Sequence, residues 1–384
     1  MNIYHPISGS GKNAFVCWLV LWTCLFGAYA DEVDNVIMDR MRKNDIAGLS
    51  LAIIQDGKIE ARSYGFTDKS RQTPVTPSTL FQAGSISKSV AAFGALHLVQ
   101  EGQLSLDADV NTQLRSWKVP ENKFTEDKKV TLRGILSHGA GLTVHGFGGY
   151  RRDRPVPTLL EVLNGTKPAN SSPIRVDIVP GTVWRYSGGG YVVMQQMILD
   201  VTKESFPKFM NDTVLVPLGM TNSTYEQPLT PPMSSAVAAG YYANGREVQG
   251  RWHVYPEMAP AGLWTTASDL ARFAIAVQHA YAGDSNPVLS QETVRQMLTG
   301  QPPSLYGTDG LGVFVGGGGR SLRFWHDGRN EGFDAQMVEL PHIGKGAVIM
   351  INANDDKGTL HGIFDVIEKK YDWSGPEQHK SGGD

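Results

Sequence analysis

Segments with the pattern of β-strands lie at both ends of this 384-residue chain, and the middle is largely helical. Residues 49–54 and 58–64 are β-branched runs joined at Asp56-Gly57, a dipeptide that favours a tight hairpin. Four more strand-like runs come late in the chain, at 311–315, 322–326, 335–340 and 347–352. The pattern predicts one sheet assembled from both termini, and sequential strands with short connections favour antiparallel pairing.

Helical patterns flank and separate these strands. An amphipathic segment at 33–41 precedes the first strand, and another from about 360 to 371 follows the last, so both can cover the sheet. Three further helices are predicted between the strands, at 85–100 with a glycine cap at Gly102, at 191–201, and from a capped start at Thr266 to Ala280. We therefore predict an α/β fold, in which an antiparallel sheet is flanked by terminal helices as an α/β/α sandwich with a mostly helical insertion.

This layout also predicts the domain boundaries. Residues 31–80 together with 305–375 would form the α/β sandwich domain, residues 81–304 the mostly helical domain, and residues 376–384 a disordered tail. The glycine run at 316–319 is followed by neither a helix nor a lysine. We interpret it as a hairpin turn and not as a phosphate-binding loop.

The first thirty residues have the layout of a secretory signal peptide. Lys12 precedes an apolar run at 14–26, and a small-x-small cleavage site ends at Ala30. Because the apolar run is short for a membrane span, we predict cleavage after Ala30 and a secreted or periplasmic protein. An uncleaved N-terminal anchor is the alternative. Both cysteines, Cys17 and Cys24, lie in this segment, so the mature protein would have no thiol for catalysis, disulfide or metal binding.

The composition excludes one class of partner. The formal net charge is −3 and charged residues make up 19% of the chain, so no long-range field attracts nucleic acid or an anionic membrane surface. We exclude nucleic acid as a partner and expect no membrane contact beyond an uncleaved signal anchor. The sequence leaves the oligomeric state open.

Ser85 and Lys88 lie three residues apart at the start of a predicted helix, on the same helical face. A serine hydroxyl is a poor nucleophile unless an adjacent base takes its proton, and a lysine serves as that base only where its surroundings favour the neutral amine. The spacing therefore predicts a nucleophile and its base. Ser-x-x-Lys by itself is common by chance.

Two later segments supply further candidates. Tyr186 stands in a glycine-rich loop before a helix, where a phenol can pass a proton if a nearby cation lowers its pKa, although loop tyrosines more often pack. His326, Asp327, Gly328 and Arg329 follow an apolar strand. A glycine there lets a ligand approach the strand edge, whose N–H groups can bind an extended substrate. Alone, His326 reads as an ordinary hydrogen-bonded histidine.

In combination, these three motifs resemble those of the serine β-lactamase and penicillin-binding protein superfamily: Ser-x-x-Lys, then Tyr-Ser-Gly about a hundred residues later, then His-x-Gly on a late strand. The resemblance is clearest for class C β-lactamases, serine D-Ala-D-Ala carboxypeptidases and β-lactamase-like esterases. It extends through residues 131–142, 217–220 and 261–270. It implies a β-lactamase/transpeptidase-like fold.

The resemblance also implies a two-step acyl transfer. Ser85 would attack a carbonyl, Lys88 and Tyr186 would carry its proton to the leaving group, and water would hydrolyse the acyl-enzyme. Backbone N–H groups of Ser85 and Arg329 would form the oxyanion hole. His326 would relay protons or bind substrate beside Asp327, Gly328 and Arg329. The resemblance implies a small-molecule, peptide or ester substrate, and no metal or other cofactor.

Two departures from the family pattern bear on the substrate. Gly188 replaces the asparagine of Tyr-x-Asn, and His326 and Asp327 replace the first two residues of Lys-Thr-Gly. If Asp327 pointed into the cleft, it would repel a substrate carboxylate about 4 Å away by roughly 1 to 4 kcal/mol, whereas strand alternation would turn it away. This argues against an efficient β-lactamase and leaves an amidase for D-amino-acid peptides or an esterase for neutral acyl groups. The histidine of the third motif resembles that of carboxypeptidase-like members, and this resemblance favours carboxypeptidase-like hydrolysis of D-amino-acid peptides.

Other functions stay open. A class C-like β-lactamase or a carboxylesterase would use the same residues, and a penicillin-binding or sensor protein would keep the pocket without turnover. The segment 145–155 combines glycines, aromatic residues and arginines. It is either a lid over the cleft or a solvated surface loop.

Overall fold

The computed structural model describes residues 31–231, 233, 236–303 and 309–373. The predicted signal peptide and the predicted tail at 376–384 lie outside the described residues. Within these ranges, no helix combines the length and the hydropathy that crossing a membrane requires.

The described residues form eleven strands. They are β1 (Gly48–Gln55), β2 (Lys58–Asp68), β3 (Thr73–Pro74), β4 (Phe81–Gln82), β5 (Tyr150–Arg151), β6 (His253–Val254), β7 (Trp264–Thr265), β8 (Phe314–Gly316), β9 (Arg323–Asn330), β10 (Phe333–Leu340) and β11 (Lys345–Ile351). Seven of them form one antiparallel sheet in the order β3-β2-β1-β11-β10-β9-β8. Because β1 pairs with β11, Leu49 opposite Ile351, the two ends of the chain meet at the centre of the sheet, as predicted.

Eleven α-helices are present in the same ranges. They are α1 (Glu32–Asn44), α2 (Ser87–Gln100), α3 (Val110–Gln113), α4 (Leu132–Leu136), α5 (Leu159–Asn164), α6 (Gly188–Thr202), α7 (Phe206–Met210), α8 (Met258–Ala261), α9 (Ala267–Ala282), α10 (Gln291–Met297) and α11 (Thr359–Lys370). The predicted caps are confirmed: the Thr266 side chain accepts from the Asp269 N–H at the start of α9, and Gly102 follows α2 with φ +69°. Glycine adopts that left-handed conformation without a steric penalty.

The sheet separates two apolar clusters, because successive residues of a strand face opposite sides. Leu49, Leu51 and Ile53 pack with α1 and α11, whereas Ala52 and Ile54 pack with the helical part of the chain. This arrangement confirms the predicted α/β fold with its antiparallel sheet and flanking helices. The division into two domains stays a prediction.

Several predicted boundaries differ from those in the structure, and two of these differences have distinct physical reasons. The helix predicted from Ser85 begins at Ser87, because Gly84–Ile86 forms a tighter 3₁₀ turn that starts from a positive φ at Gly84. The strand predicted at 322–326 continues to Asn330, because its polar second half pairs with β10. The glycine run at 316–319 lies in the β8–β9 connection, as predicted.

Candidate active site

Lys88 lies beside Ser85 and is shielded from solvent. Its Nζ atom is 2.9 Å from Ser85 Oγ and donates a hydrogen bond to the Pro260 carbonyl oxygen, also at 2.9 Å. The side chain is only 2% exposed, because eleven of the fourteen residues of α2 are buried. Burial penalises the charged ammonium and lowers the pKa of Lys88 to about 7. A substantial fraction of the lysine is therefore neutral at pH 7, with its amine in contact with the serine oxygen.

Hydrogen bonds to Ser87 anchor the turn that carries Ser85. The Ser87 hydroxyl donates to the Gly84 carbonyl oxygen at 2.6 Å and accepts from the Leu263 N–H at 3.0 Å. The Tyr225 hydroxyl donates to the Ser87 carbonyl oxygen at 2.7 Å. Because all these groups are buried, breaking any one would leave an unsatisfied polar atom in the core. The position of the serine is therefore determined by tertiary contacts as well as by α2.

Tyr186 completes a group of three side chains. It hydrogen-bonds the Ser85 side chain, and its ring centroid is 4.9 Å from Lys88 Nζ. The pKa of Tyr186 is not lowered by a nearby cation: burial is the main effect and raises the pKa well above the usual range. The phenol therefore keeps its proton at neutral pH. It can pass a proton, but the resting base of this group is Lys88.

Strand β9 approaches the Ser85 turn very closely, and two glycines make this possible. A β-carbon on Gly328 would collide with the Ala83 carbonyl oxygen and lie 3.2 Å from the Ser85 nitrogen. A β-carbon on Gly84 would collide with the Arg329 backbone nitrogen. The backbone amides of Ser85 and Arg329, which were predicted to form the oxyanion hole, therefore lie on neighbouring segments.

The side chains of β9 alternate between two environments. His326 is buried on the side of Tyr186, and its Nδ1 atom donates to the Asp327 carbonyl oxygen at 2.6 Å. Burial, assisted by the nearby Lys88, lowers the pKa of His326 to about 3, so the imidazole is neutral. Asp327 hydrogen-bonds Gln336 and faces His361 of α11. Strand alternation thus turns Asp327 away from Ser85.

The Arg329 guanidinium also lies on the α11 side of β9 and is already paired. It contacts Asp334 at 2.7 Å and Asp356 at 3.0 Å. Arg185, which precedes Tyr186, pairs with Asp177. Burial raises the pKa of Asp327, and the nearby Asp334 adds to this effect, whereas the hydrogen bond to Gln336 and the nearby His361 lower the pKa.

A cavity of about 470 Å³ brings the predicted residues together. Its lining includes Ser85, Tyr186 and all four predicted residues of β9, at 326–329. Lys88 lies directly beneath it, in contact with Ser85. The three motifs, far apart in sequence, therefore form one cleft.

Two histidines near Tyr186 were not predicted as site residues. The ring of His138 is 4.2 Å from that of Tyr186, and its Nδ1 accepts from the Ser187 N–H at 3.2 Å. Burial, with smaller effects of nearby cationic groups, lowers the pKa of His138 well below its usual value. His145 lies 4.8 Å from Tyr186, ring to ring, and lines the cavity. Only their place in the family-like stretch 131–142 and in the loop after it marked them in the sequence.

The loop before β5 occupies the space beside Gly188. A β-carbon at Gly188 would lie 3.0 Å from the His145 carbonyl oxygen and 3.2 Å from the Phe147 ring. Gly188, which stands where the family pattern has asparagine, thus allows this loop to pack closely against the start of α6. Farther along, β5 pairs with β6 and Arg152 stacks on Trp252 at 4.2 Å. Within the segment 145–155, His145 forms part of the wall of the cleft, whereas residues 152–155 are exposed to solvent.

Among the residues described, no three His, Cys, Asp or Glu side chains are grouped so that they could hold a metal ion. The expectation that this site uses no cofactor stays a prediction.

Comparisons with known proteins agree with this geometry. The family model described as Beta-lactamase matches residues 33–367. A protein called Beta-lactamase from Pseudomonas fluorescens is 27% identical over 313 residues, which cover 81% of this chain and 80% of that protein. Protein flp from Staphylococcus aureus (strain N315) is 24% identical over 332 residues, or 85% of this chain. The match spans only 63% of the length of Protein flp.

Solved structures show the same fold. The octameric penicillin-binding protein homologue from Pyrococcus abyssi superposes with a TM-score of 0.72 at 23% identity, covering 88% of this chain and 77% of that one. The crystal structure of SurE with D-Leu gives a TM-score of 0.67 at 22% identity, covering 91% and 76% respectively.

Proposed function

The chain belongs to the beta-lactamase family, and on that premise we propose that it is a serine hydrolase that forms an acyl-enzyme at Ser85. One observation carries the proposal: the Lys88 amine lies 2.9 Å from Ser85 Oγ and has a pKa of about 7. A general base works best when its pKa is near the working pH and it is within hydrogen-bond reach of the proton it takes. Lys88 meets both conditions.

In the proposed reaction, Ser85 Oγ attacks a carbonyl carbon and its proton moves to Lys88. The backbone N–H groups of Ser85 and Arg329 stabilise the negative charge that develops on the carbonyl oxygen. Lys88, through the Tyr186 phenol, returns the proton to the leaving group as the bond to that group breaks. Water then attacks the resulting ester by the same proton path in reverse, which regenerates Ser85.

The substrate class we propose is the amide bond of D-amino-acid peptides, in the manner of a carboxypeptidase. The edge of β9 supports this choice, because strand N–H and C=O groups suit an extended peptide. The neighbour described with D-Leu makes D-amino acids a reasonable first test. Ester hydrolysis is the second candidate, since Arg185 of the tyrosine motif and Arg329 of β9 are already paired with carboxylates and are not free to bind a substrate carboxylate.

We also propose that the protein is exported and cleaved after Ala30. The N-terminal layout of Lys12, apolar run and small residues supports this. N-terminal sequencing of protein recovered from the periplasm or medium should begin at Asp31, whereas an intact N-terminus on membrane-bound protein would contradict it.

Intact-mass measurement tests the nucleophile. Separate samples of wild-type protein and of the variants Ser85→Ala and Ser78→Ala are treated with a fluorophosphonate, a penicillin, a D-Ala-D-Ala peptide, nitrocefin or p-nitrophenyl butyrate. We expect one adduct on wild type and on Ser78→Ala, an exposed control, and none on Ser85→Ala. Turnover of the three substrates ranks peptide, lactam and ester. An adduct that persists on Ser85→Ala would overturn the proposal, and a stable penicillin adduct without product would favour the sensor alternative.

A further inference from the structure

Two buried amide side chains connect the backbone segments that carry the proposed oxyanion-hole donors. Gln82 ends β4, shortly before Ser85, and Asn330 ends β9, directly after Arg329. Asn330 Nδ2 donates a hydrogen bond to Gln82 Oε1 at 2.8 Å, and the two side chains are only 4% and 1% exposed. Because β4 pairs with β7 and not with any strand of the seven-stranded sheet, this hydrogen bond joins two segments that no strand pairing connects.

Neighbouring carbonyl groups fix the orientation of both amides. Asn330 Nδ2 also donates to the Ala261 carbonyl oxygen at 3.0 Å, and Gln82 Nε2 donates to the His253 carbonyl oxygen at 2.8 Å. A backbone carbonyl accepts hydrogen bonds and cannot donate them, so each amide nitrogen has to face its carbonyl. Turning either amide over would bring two oxygens together in a buried place and leave them unsatisfied. The pair therefore has a single hydrogen-bonding arrangement.

The same contacts reach the short helix that holds the general base. Ala261, the acceptor of the second Asn330 hydrogen bond, is the last residue of α8. The residue before it, Pro260, accepts from Lys88 Nζ through its carbonyl oxygen. β7, which follows α8 in the chain, pairs with β4. The amide pair thus closes a set of contacts between β4, α8 and β9, which together surround the start of α2.

We propose that Gln82 and Asn330 are positioning residues, whose hydrogen bond sets the spacing of the two backbone N–H groups that stabilise the oxyanion. The proposal rests on the proposed acyl transfer at Ser85. Each donor has to lie about 2.7–3.1 Å from the oxyanion, and a backbone N–H moves only with its segment. The negative charge is greatest in the transition state, so a loosened pair should lower kcat and kcat/KM equally and leave KM nearly unchanged.

A double-mutant cycle tests the pair, with whichever of the three test substrates wild-type protein turns over fastest. Gln82→Met, which keeps the length of the side chain, and Asn330→Ala should each lower kcat by about tenfold, less than the loss of a whole donor. KM should stay within about twofold of wild type. The double variant should also lose about tenfold and not a hundredfold, because either single change already breaks the shared hydrogen bond.

The matched control is Asn352→Ala. Asn352 is also buried, and its side-chain nitrogen donates to backbone carbonyl oxygens, that of Ala239 at 2.9 Å among them, but it lies outside the lining of the cleft. It should lower the temperature of thermal unfolding about as much as Asn330→Ala does, with kcat near the wild-type value.

Three results would overturn the positioning role while leaving the serine mechanism standing. They are a wild-type kcat in Asn330→Ala, losses that multiply in the double variant, and an equal loss of kcat in Asn352→Ala. If Asn330→Ala does not fold, Gln82→Met decides the question in the same way, since it leaves the Asn330 bond to α8 in place. If wild-type protein turns over none of the three substrates, the proposed function fails, and the role of this pair fails with it.

Discussion

At the scale of single residues, the site depends on a lysine whose ammonium form is destabilised. Among the residues that the structure describes, Lys88 forms no ion pair, and its hydrogen-bond partners are the Ser85 hydroxyl and the Pro260 carbonyl oxygen. Burial alone accounts for the lowering of its pKa to about 7. Neutral His138 and His326 nearby add no further base that titrates close to pH 7, because burial holds their pKa values lower.

The pH dependence of acylation should therefore follow Lys88. The neutral amine is the active form, so kcat/KM should rise with pH, reach half its maximum near pH 7, and level off above about pH 8. Below pH 6 it should fall about tenfold per unit, as expected for one ionisation. Stopped-flow acylation by an activated ester, measured from pH 5 to 9, checks this. A flat profile would mean that another group takes the proton of Ser85.

Replacing Lys88 with methionine should abolish activity and, at the same time, change how the free energy of unfolding depends on pH. We expect Lys88→Met to lose at least about 10³-fold in kcat/KM, because the serine loses its base. The folded-state pKa of about 7 lies below the unfolded value, so from pH 7 to about 10 the unfolded state binds the extra proton and wild-type stability rises with pH. Methionine abolishes that rise. Relative to wild type, the variant should thus gain about 3 kcal/mol more at pH 6 than at pH 9.

Urea unfolding at the two pH values measures this difference. Lys128→Met, at an exposed lysine, is the matched control and should show no such pH-dependent gain. A parallel pH dependence in Lys88→Met and wild type would show that the lysine is not buried in its neutral form.

At the scale of elements, the oxyanion hole depends on how closely β9 approaches the turn before α2. Gly328 allows that approach, because any β-carbon there would meet the Ala83 carbonyl oxygen. Hydrogen bonds to Ser87 hold the turn from the other side, so it cannot retreat without breaking buried contacts. The distance between the two segments should therefore be sensitive to a single methyl group.

We expect Gly328→Ala to lower kcat by about 10² to 10³-fold, the loss typical of one missing oxyanion-hole donor. The added methyl group would push the Arg329 N–H away from the Ser85 turn. Gly318→Ala is the matched control: Gly318 has an extended backbone with φ −169° and no atom within 4 Å of an added β-carbon. Steady-state kinetics and thermal unfolding of both variants check this, and near-wild-type kcat in Gly328→Ala would show that this approach is unimportant.

The sequence predicted those features that depend on neighbouring residues, and it did not predict those that depend on contacts between segments distant in sequence. The β1–β2 hairpin and the end of α2 at Gly102 follow from local turn chemistry, and both are confirmed. The order of the three motifs in the sequence predicted that Ser85, Tyr186 and β9 would share one cleft, and they do. The rise in the pKa of Tyr186 and the contact of His145 with Gly188 depend on burial and on segments distant in sequence, which periodicity does not report.

At the scale of the whole molecule, the cleft lies where the two ends of the chain meet the helical middle. The N-terminal and C-terminal strands form one sheet, α9 and the other central helices cover one face, and α1 and α11 cover the other. The catalytic serine comes from the helical side, and α11 borders the cavity from the opposite side. A substrate that crosses the edge of β9 would therefore meet a separate set of charges on the α11 side.

Those charges predict which leaving groups the cleft accepts. On the α11 side the cavity lining includes Asp327, Asp334 and Asp355, and its one arginine, Arg329, is paired with Asp334 and Asp356. Because the chain also carries a net charge of −3, no long-range attraction compensates. We expect a D-Ala-D-Ala peptide with a free carboxylate to be hydrolysed about fivefold more slowly than its carboxamide, the effect of roughly 1 kcal/mol of screened repulsion.

Two manipulations should narrow that difference between the acid and the amide. Raising the NaCl concentration from 20 to 500 mM shortens the screening length to a few ångströms, so the acid should gain more than the amide. Asp327→Asn removes the carboxylate of β9 and should act in the same direction, whereas Asp39→Asn, on the exposed face of α1, removes an equal charge far from the cleft and should not. Competition between the two peptides, followed by mass spectrometry, measures the ratio directly. A wild-type preference for the acid would contradict this prediction and would show that a cation reaches the substrate carboxylate.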